Sequence, residues 1–206
     1  MVPRLRKLAR SFYLRPTLQV AEELLGLFLV RNVPGTRLIG RIVEVEAYLG
    51  SKDPASHAFR GRTKRNEVMF WQGGHLYVYF TYGMHFCSNV VTGREGTAHA
   101  VLLRAVEPIA GLSVMKGNRR RPVWEDNPGV LCSGPARLCQ AFGIAREENG
   151  SDLCGREIWI GRDVSVREQP HVARSRRVGI SDGKRHLWRF YIKDNLFVSP
   201  GRPVER

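Results

Sequence analysis

The stretch Arg41-Ile42-Val43-Glu44-Val45-Glu46-Ala47-Tyr48 decides how this chain folds. Val, Ile and Tyr dominate it and its alternation has period two, which predicts a β-strand. Strand side chains alternate faces, so Ile42, Glu44, Glu46 and Tyr48 are expected on one side and Val43, Val45 and Ala47 on the other. Successive same-face positions lie roughly 7 Å apart. A carboxylate flanked by valines and a tyrosine costs free energy to bury unless something satisfies or uses it. Two readings follow. The acids are placed for chemistry, one of them acting as general base on water with its pKa tuned by a neighbour. Alternatively they form a solvated acidic face, ion-paired to Arg41 and its neighbours. Periodicity leaves both open, with the solvated face the commoner outcome.

Upstream, Pro34-Gly35-Thr36 supplies a turn after an expected strand at Leu27–Arg31, so the glutamate strand closes a hairpin. Before it, Thr17 is expected to cap a helix with Val20, Ala21, Leu24 and Leu25 on one face, ended by Gly26. Residues 1–16 carry Arg4, Arg6, Lys7, Arg10 and Arg15 and read as a basic arm in front of a single domain spanning 17–200.

Downstream, Gly50 to Gly74 is loop-rich and positive. An aromatic strand follows at Leu76-Tyr77-Val78-Tyr79-Phe80-Thr81-Tyr82, with Tyr77 and Tyr79 on one face and Tyr82 on the face of Leu76, Val78 and Phe80. A strand over Ala98–Ala105 is expected to end at Glu107-Pro108, before a short helix. Gly117–Gly129, with Arg119-Arg120-Arg121, reads as an exposed loop. Ser133 is expected to cap a helix whose core positions are Leu138, Cys139 and Phe142. Strands near Glu157–Ile160 and Leu187–Lys193 complete the pattern. No regular βαβ alternation is visible, so the fold class is mixed α/β (α+β) with mostly antiparallel strands.

With 33 Lys+Arg against 19 Asp+Glu, the formal net charge of +14 points to nucleic acid first and an anionic membrane surface second. The longest apolar run, Leu24 to Val30, is too short to span a bilayer, and Glu22 and Glu23 before it do not suit a signal peptide. A soluble, intracellular protein is expected, with no membrane partner. Cys87, Cys132, Cys139 and Cys154 form no C-x-x-C pair and read as buried thiols, Cys132 and Cys139 along one helix. No H-E-x-x-H motif occurs, and no metal site is expected.

Other candidates have two faces. His57 is a second active-site group or a surface histidine. Tyr48, Tyr77, Tyr79 and Tyr82 are base-stacking faces or strand core. Arg119-Arg120-Arg121 and Arg174-Ser175-Arg176-Arg177 neutralise phosphates or simply sit in water. A basic surface, an aromatic pocket and a carboxylate at its edge together make the inventory of an enzyme that extrudes a base and attacks its bond.

The segment 41–50, with His57, Arg65-Asn66, Met69-Phe70, Leu76 to Met84, Phe86-Cys87-Ser88-Asn89, Val101 to Pro108 and Leu131-Cys132-Ser133-Gly134-Pro135, closely resembles the alkyladenine (3-methyladenine) DNA glycosylase family. The motifs occur in order from about Leu18 to Phe197. The resemblance implies a single domain on a curved, mostly antiparallel sheet with flanking helices, and no metal or organic cofactor. It implies a monofunctional, base-excision-repair hydrolase, expected as a monomer in the cytoplasm or nucleoid of a bacterium or the nucleus of a eukaryote. Such an enzyme flips alkylated or deaminated purines out of double-stranded DNA and hydrolyses the N-glycosidic bond, leaving an abasic site. By resemblance Glu46 is the general base and Arg104 helps to hold the water. Tyr48, His57 and Tyr79 sandwich the base, and Asn89 disfavours the amino group of guanine. Tyr82 fills the gap in the duplex beside Met84. Arg65, Arg137 and the Val178-Gly179 backbone match phosphate-contacting positions. His85 stands where a tyrosine is common, and Arg137 replaces a lysine. A non-catalytic binding module and a lyase using Lys52 or Lys64 are the competing readings.

Overall fold

The computed structural model describes residues 3–119, 127–166 and 168–200. Its centre is the strand on which the sequence reading turns. β2 (Phe28–Val33) and β3 (Thr36–Leu49) pair antiparallel around the Pro34-Gly35 turn, with Val33 opposite Thr36, as the hairpin signal predicted. β3 is longer than expected because Thr36–Gly40 continue the ladder with β2 while its second half finds new partners. Along one edge it meets β6 (His99–Ala110), and along the other its Glu44–Glu46 stretch meets β9 (Arg189–Ile192).

The other strands extend this centre. β1 (Leu5–Lys7) and β7 (Ile158–Asp163) add to the β2 side, while β4 (Leu76–Thr81) and β5 (His85–Thr92) add to the β6 side. The order is β1-β7-β2-β3-β6-β5-β4, with β8 (Val172–Ser175) on β9, and all these pairings are antiparallel. The α+β expectation holds. Basic residues near the start of the chain take part: β1 pairs with β7, and α1 (Arg10–Tyr13) buries Tyr13 completely.

α2 (Thr17–Leu24), α3 (Leu112–Arg119) and α4 (Pro135–Phe142) cover one face of the sheet. Val20, Ala21, Leu24, Met115, Leu138 and Phe142 from these helices share one core with Val43, Val45, Ala47, Leu103 and Ala105 of β3 and β6. No helix among the described residues is long and apolar enough to cross a membrane.

Several local expectations are corrected. α2 is preceded by Pro16 at the cap position and Thr17 lies inside it, its hydroxyl bonded to Thr92 and to His99 Nδ1. The helix ends at Leu24, before Gly26 is reached. β6 runs through Pro108 to Ala110, since Pro108 sits opposite Gly40 beside a register shift, where a missing N–H is tolerated. α3 reaches Arg119, so the expected loop begins later; residues 120–126, with Arg120 and Arg121, lie outside the described residues. Gly134 rather than Ser133 precedes α4, and Ser133 bridges to Ala105 instead, leaving Cys132 outside the helix. β8 had no clear apolar alternation to announce it.

The period-two alternation of β3 breaks at Ile42. Glu44, Glu46 and Tyr48 do share a side, but Ile42 joins the core with Val43. Ile42 pairs with Val106, Glu44 with Ala105 and Val45 with Leu103, so Val43 and then Arg104 fall between paired positions. These offset bulges re-aim side chains where the period of two would not. They also bring Arg104 opposite the two glutamates.

Candidate active site

Glu44 and Glu46 are both fully buried, which overturns the solvated-face reading; Arg41 pairs with Glu107 instead, at 2.6 Å. Their surroundings differ. Glu46 Oε1 accepts the Val178 N–H at 2.7 Å, and its Oε2 accepts the Tyr48 hydroxyl at 2.8 Å. Arg104 Nη1 lies 3.3 Å from Glu46 Oε1. Burial raises the Glu46 pKa above the ordinary carboxylate range, against the pull of Arg104 and the two hydrogen bonds.

Glu44 is saturated. Its Oε1 accepts Arg104 Nε and Arg189 Nε, both at 2.7 Å, and the Ser199 hydroxyl at 2.9 Å, while Oε2 accepts the Ser199 N–H at 2.7 Å. Burial opposes its ionisation, but Arg104, Arg189 and the Ser199 bonds outweigh it and hold its pKa below the ordinary range. The pair is thus split: one acid locked as a carboxylate, the other raised.

A cavity of about 510 Å³ opens on this face of the sheet, lined by Tyr48, His57, Tyr77, Tyr79, Asn89 and Arg104 among others. That volume falls in the range of about 300–1,000 Å³ usual for small-molecule sites. The strand period places Tyr77 and Tyr79 together, as expected. His57 stands edge-on to Tyr79 with ring centroids 4.4 Å apart, and its Nδ1 lies 3.0 Å from the Tyr77 hydroxyl. His57 is exposed at the cavity, and partial desolvation of its ring with Arg65 nearby lowers its pKa. Burial pushes the Tyr77 hydroxyl up to about 12. Asn89 Nδ2 donates to the Tyr77 carbonyl, fixing the amide in the cavity wall.

The rim carries exposed basic and apolar side chains. Tyr82 is 81% exposed and Met84 68% exposed at the β4–β5 turn. Tyr82 and Gly83 both have positive φ, 50° and 66°, as a tight primed hairpin turn requires, so Tyr82 leaves the strand face assigned to it. Arg65 is exposed and donates to the Phe80 carbonyl at 3.1 Å. Arg137, exposed on the first turns of α4, reaches the Ser133 carbonyl at 3.4 Å. Val178 and Gly179 line the cavity mouth, Gly179 with φ 74° and open space around it. Lys52 and Lys64 are exposed and neither lines the cavity.

Sequence reading missed two features. Arg177 belongs to a cluster read as phosphate-binding or solvated, yet its side chain is buried, with Nη1 2.5 Å and Nη2 2.8 Å from the Asp53 carboxylate. Its guanidinium lies 4.6 Å from the Tyr48 ring centroid and 5.1 Å from that of Trp188. In the same cluster Arg174 pairs with Glu22, and Arg176 is exposed. The second miss is the Arg189–Ser199 pair around Glu44. Neither had a local signal, because the partners lie far apart along the chain.

Glu46 is not itself a lining residue but contacts three that are, Tyr48, Arg104 and Val178. An ionisable carboxylate beside a base-sized, aromatic cavity is what cleaving an N-glycosidic bond asks for, and that chemistry defines the DNA glycosylases, hydrolases of this bond. The chain belongs to the methylpurine-DNA glycosylase (MPG) family, whose sequence profile matches residues 11–196. It is 50% identical over 193 residues to a protein of Carboxydothermus hydrogenoformans, covering 93% of this chain and 98% of the relative. A protein of Alkaliphilus oremlandii is 45% identical over 201 residues, covering 94% and 98%. One from Clostridium acetobutylicum is 46% identical over 201 residues, covering 94% and 97%. All three are named as candidate 3-methyladenine DNA glycosylases.

Proposed function

We propose that this enzyme, acting as a monomer on duplex DNA, turns a damaged purine into the aromatic cavity and hydrolyses its N-glycosidic bond with a water activated by Glu46. The observation that carries this reading is the Glu46 carboxylate: fully buried, with a raised pKa, and oriented by Val178 N–H, Tyr48 and Arg104.

Glu46 accepts the proton of the attacking water while the water oxygen bonds to the sugar C1′. The C1′–N bond breaks with its electron pair leaving on the base, and an abasic sugar with a new hydroxyl remains. In the ionised form Glu46 also offsets the positive charge that develops on the sugar. Arg104 helps to fix the water and keeps Glu46 from drifting further toward the protonated state. Tyr48 on one side, with His57 and Tyr79 on the other, stacks the base. Asn89 reads its edge. Tyr82, beside Met84, fills the space that the base vacates, and Arg65, Arg137 and the Val178-Gly179 segment hold the backbone.

Purines alkylated at a ring nitrogen are the preferred substrates. They are cationic, leave without further protonation, and gain attraction from the tyrosine faces. Deaminated purines are neutral and need a proton on the leaving base. His57 is a poor source because its pKa is lowered. Base release from duplexes carrying 3-methyladenine, 7-methylguanine or hypoxanthine tests this, with the cationic bases released first. Absence of any free base, or a covalent adduct trapped by borohydride, would overturn the hydrolytic reading. A simple binding module has no use for a buried carboxylate held by three donors.

A further inference from the structure

Glu44 does not itself line the cavity, yet its carboxylate accepts four hydrogen bonds. Arg104 connects it to the cavity. A guanidinium has five N–H donors in a rigid fork, and its direction depends on which edges are occupied. Here Nε is fixed by Glu44 at 2.7 Å and Nη2 by the Ser199 hydroxyl at 3.2 Å, leaving Nη1 as the edge presented to Glu46.

Ser199 is itself over-determined. It is 6% exposed, gives its N–H and its hydroxyl to Glu44, and offers its carbonyl to Arg189 Nη2 at 3.2 Å. Arg189 in turn donates Nε to Glu44 and Nη1 to the Ser175 hydroxyl. The ring of contacts therefore closes through β3, β6, β8, β9 and the segment after β9. Ser199 lies beyond residue 196, where the match to the family ends.

We infer that Glu44, Arg189 and Ser199 form a positioning unit that holds two edges of Arg104 and aims the third at Glu46, which makes the segment carrying Ser199 part of the catalytic apparatus. This rests on the reading of Glu46 as the base. The unit also sets the local charge. With Glu44 ionised, the charge of Arg104 is shared between Glu44 and Glu46 and Arg189 is paired with Glu44, so burial outweighs the pull of Arg104 on Glu46. The groups facing Glu46 are Arg104 from β6, Glu44 and Tyr48 from its own strand, Tyr79 from β4, Arg189 from the neighbouring β9 and the Val178 N–H.

The test is single-turnover base release from methylated duplex DNA across a range of pH, with duplex affinity measured at the same salt, for the native chain, Glu44→Gln, Ser199→Ala and Glu46→Gln. Glu44→Gln is expected to slow release about tenfold to a hundredfold, the cost of a misaimed group near the reacting atoms. Duplex affinity stays unchanged. The acidic limb of its profile moves to lower pH, since a negative neighbour is gone and both arginines turn to Glu46. Ser199→Ala keeps the backbone N–H on Glu44 and shows a smaller loss in rate. A merely structural unit would lower the melting temperature and leave rate and limb untouched, and that result overturns the inference. Should Glu44→Gln fail to fold, Ser199→Ala decides alone, and an unchanged rate sinks the idea. An inactive Glu46→Gln beside a fully active Glu44→Gln defeats this inference only. An active Glu46→Gln defeats the reading of the base and this inference with it.

Discussion

Glu46 sits at the point where burial and hydrogen bonding pull a carboxylate in opposite directions. Burial favours its protonated form, while Arg104, Val178 N–H and Tyr48 favour the charged one. A base must be ionised to work, so the rate of base release falls as pH drops through the raised Glu46 value, an acidic limb above the ordinary carboxylate range. Tyr48→Phe removes one of the groups that favour ionisation. Its limb therefore moves to higher pH, opposite to the shift expected for Glu44→Gln, and a pH–rate series on a soluble substrate duplex measures both. That the two acids share a face was legible in the period of two. Which one is proposed as the base was not, because the difference is made by Arg104, Arg189 and Ser199, the last of them 155 residues along the chain from Glu44. The family resemblance, not the spacing, singled out Glu46.

Among the elements, β3 carries most of the design. Of its three register shifts with β6, those at Ile42/Glu44 and Glu44/Val45 aim Arg104 at the acids, and the strand is packed tightly enough to leave no room at Gly40. A Cβ on Gly40 would lie 2.7 Å from Val106 Cγ2 and 3.1 Å from the Phe142 ring. Gly40→Ala is therefore expected to lose about 1–3 kcal/mol of stability, as overpacking does, measured by chemical denaturation. The loop pair at the cavity mouth depends on Arg177 and Asp53. Asp53 also accepts the N–H groups of Leu49 and Ala55, so it ties the loop after β3 to the loop carrying Val178. Asp53→Ala leaves a buried guanidinium unpaired, and a loss of about 3–5 kcal/mol is expected in the same assay. The sequence shows a basic run at Arg174 to Arg177, and solvent or phosphate is the natural reading of such a run. Only the return of the chain past β8 puts Arg177 beneath Tyr48.

At the scale of the whole molecule, the order of strands explains why the sequence could group so many residues of the candidate site. Glu46, Tyr48, Tyr77, Tyr79, Asn89 and Arg104 all come from strands that neighbour one another in the sheet, β3, β6, β5 and β4. Their alternation therefore survives into the cavity wall, except at the bulges. Loop and tail contributions, from Asp53, Arg177 and Ser199, carry no period and were invisible. The net charge of +14 completes the picture as a field that draws in the duplex. Neutralised phosphates release counterions, so affinity for undamaged duplex falls steeply with salt. Arg65→Ala and Arg137→Ala are each expected to weaken binding at every sequence and to reduce the slope of log affinity against log salt by about 1. An unchanged slope would place those side chains off the DNA. The most direct test of the whole account is single-turnover base release by Glu46→Gln from methylated duplex DNA, with duplex binding measured alongside. Lost release with retained binding is predicted, whereas release at the native rate would contradict the assignment of Glu46 as the water-activating base.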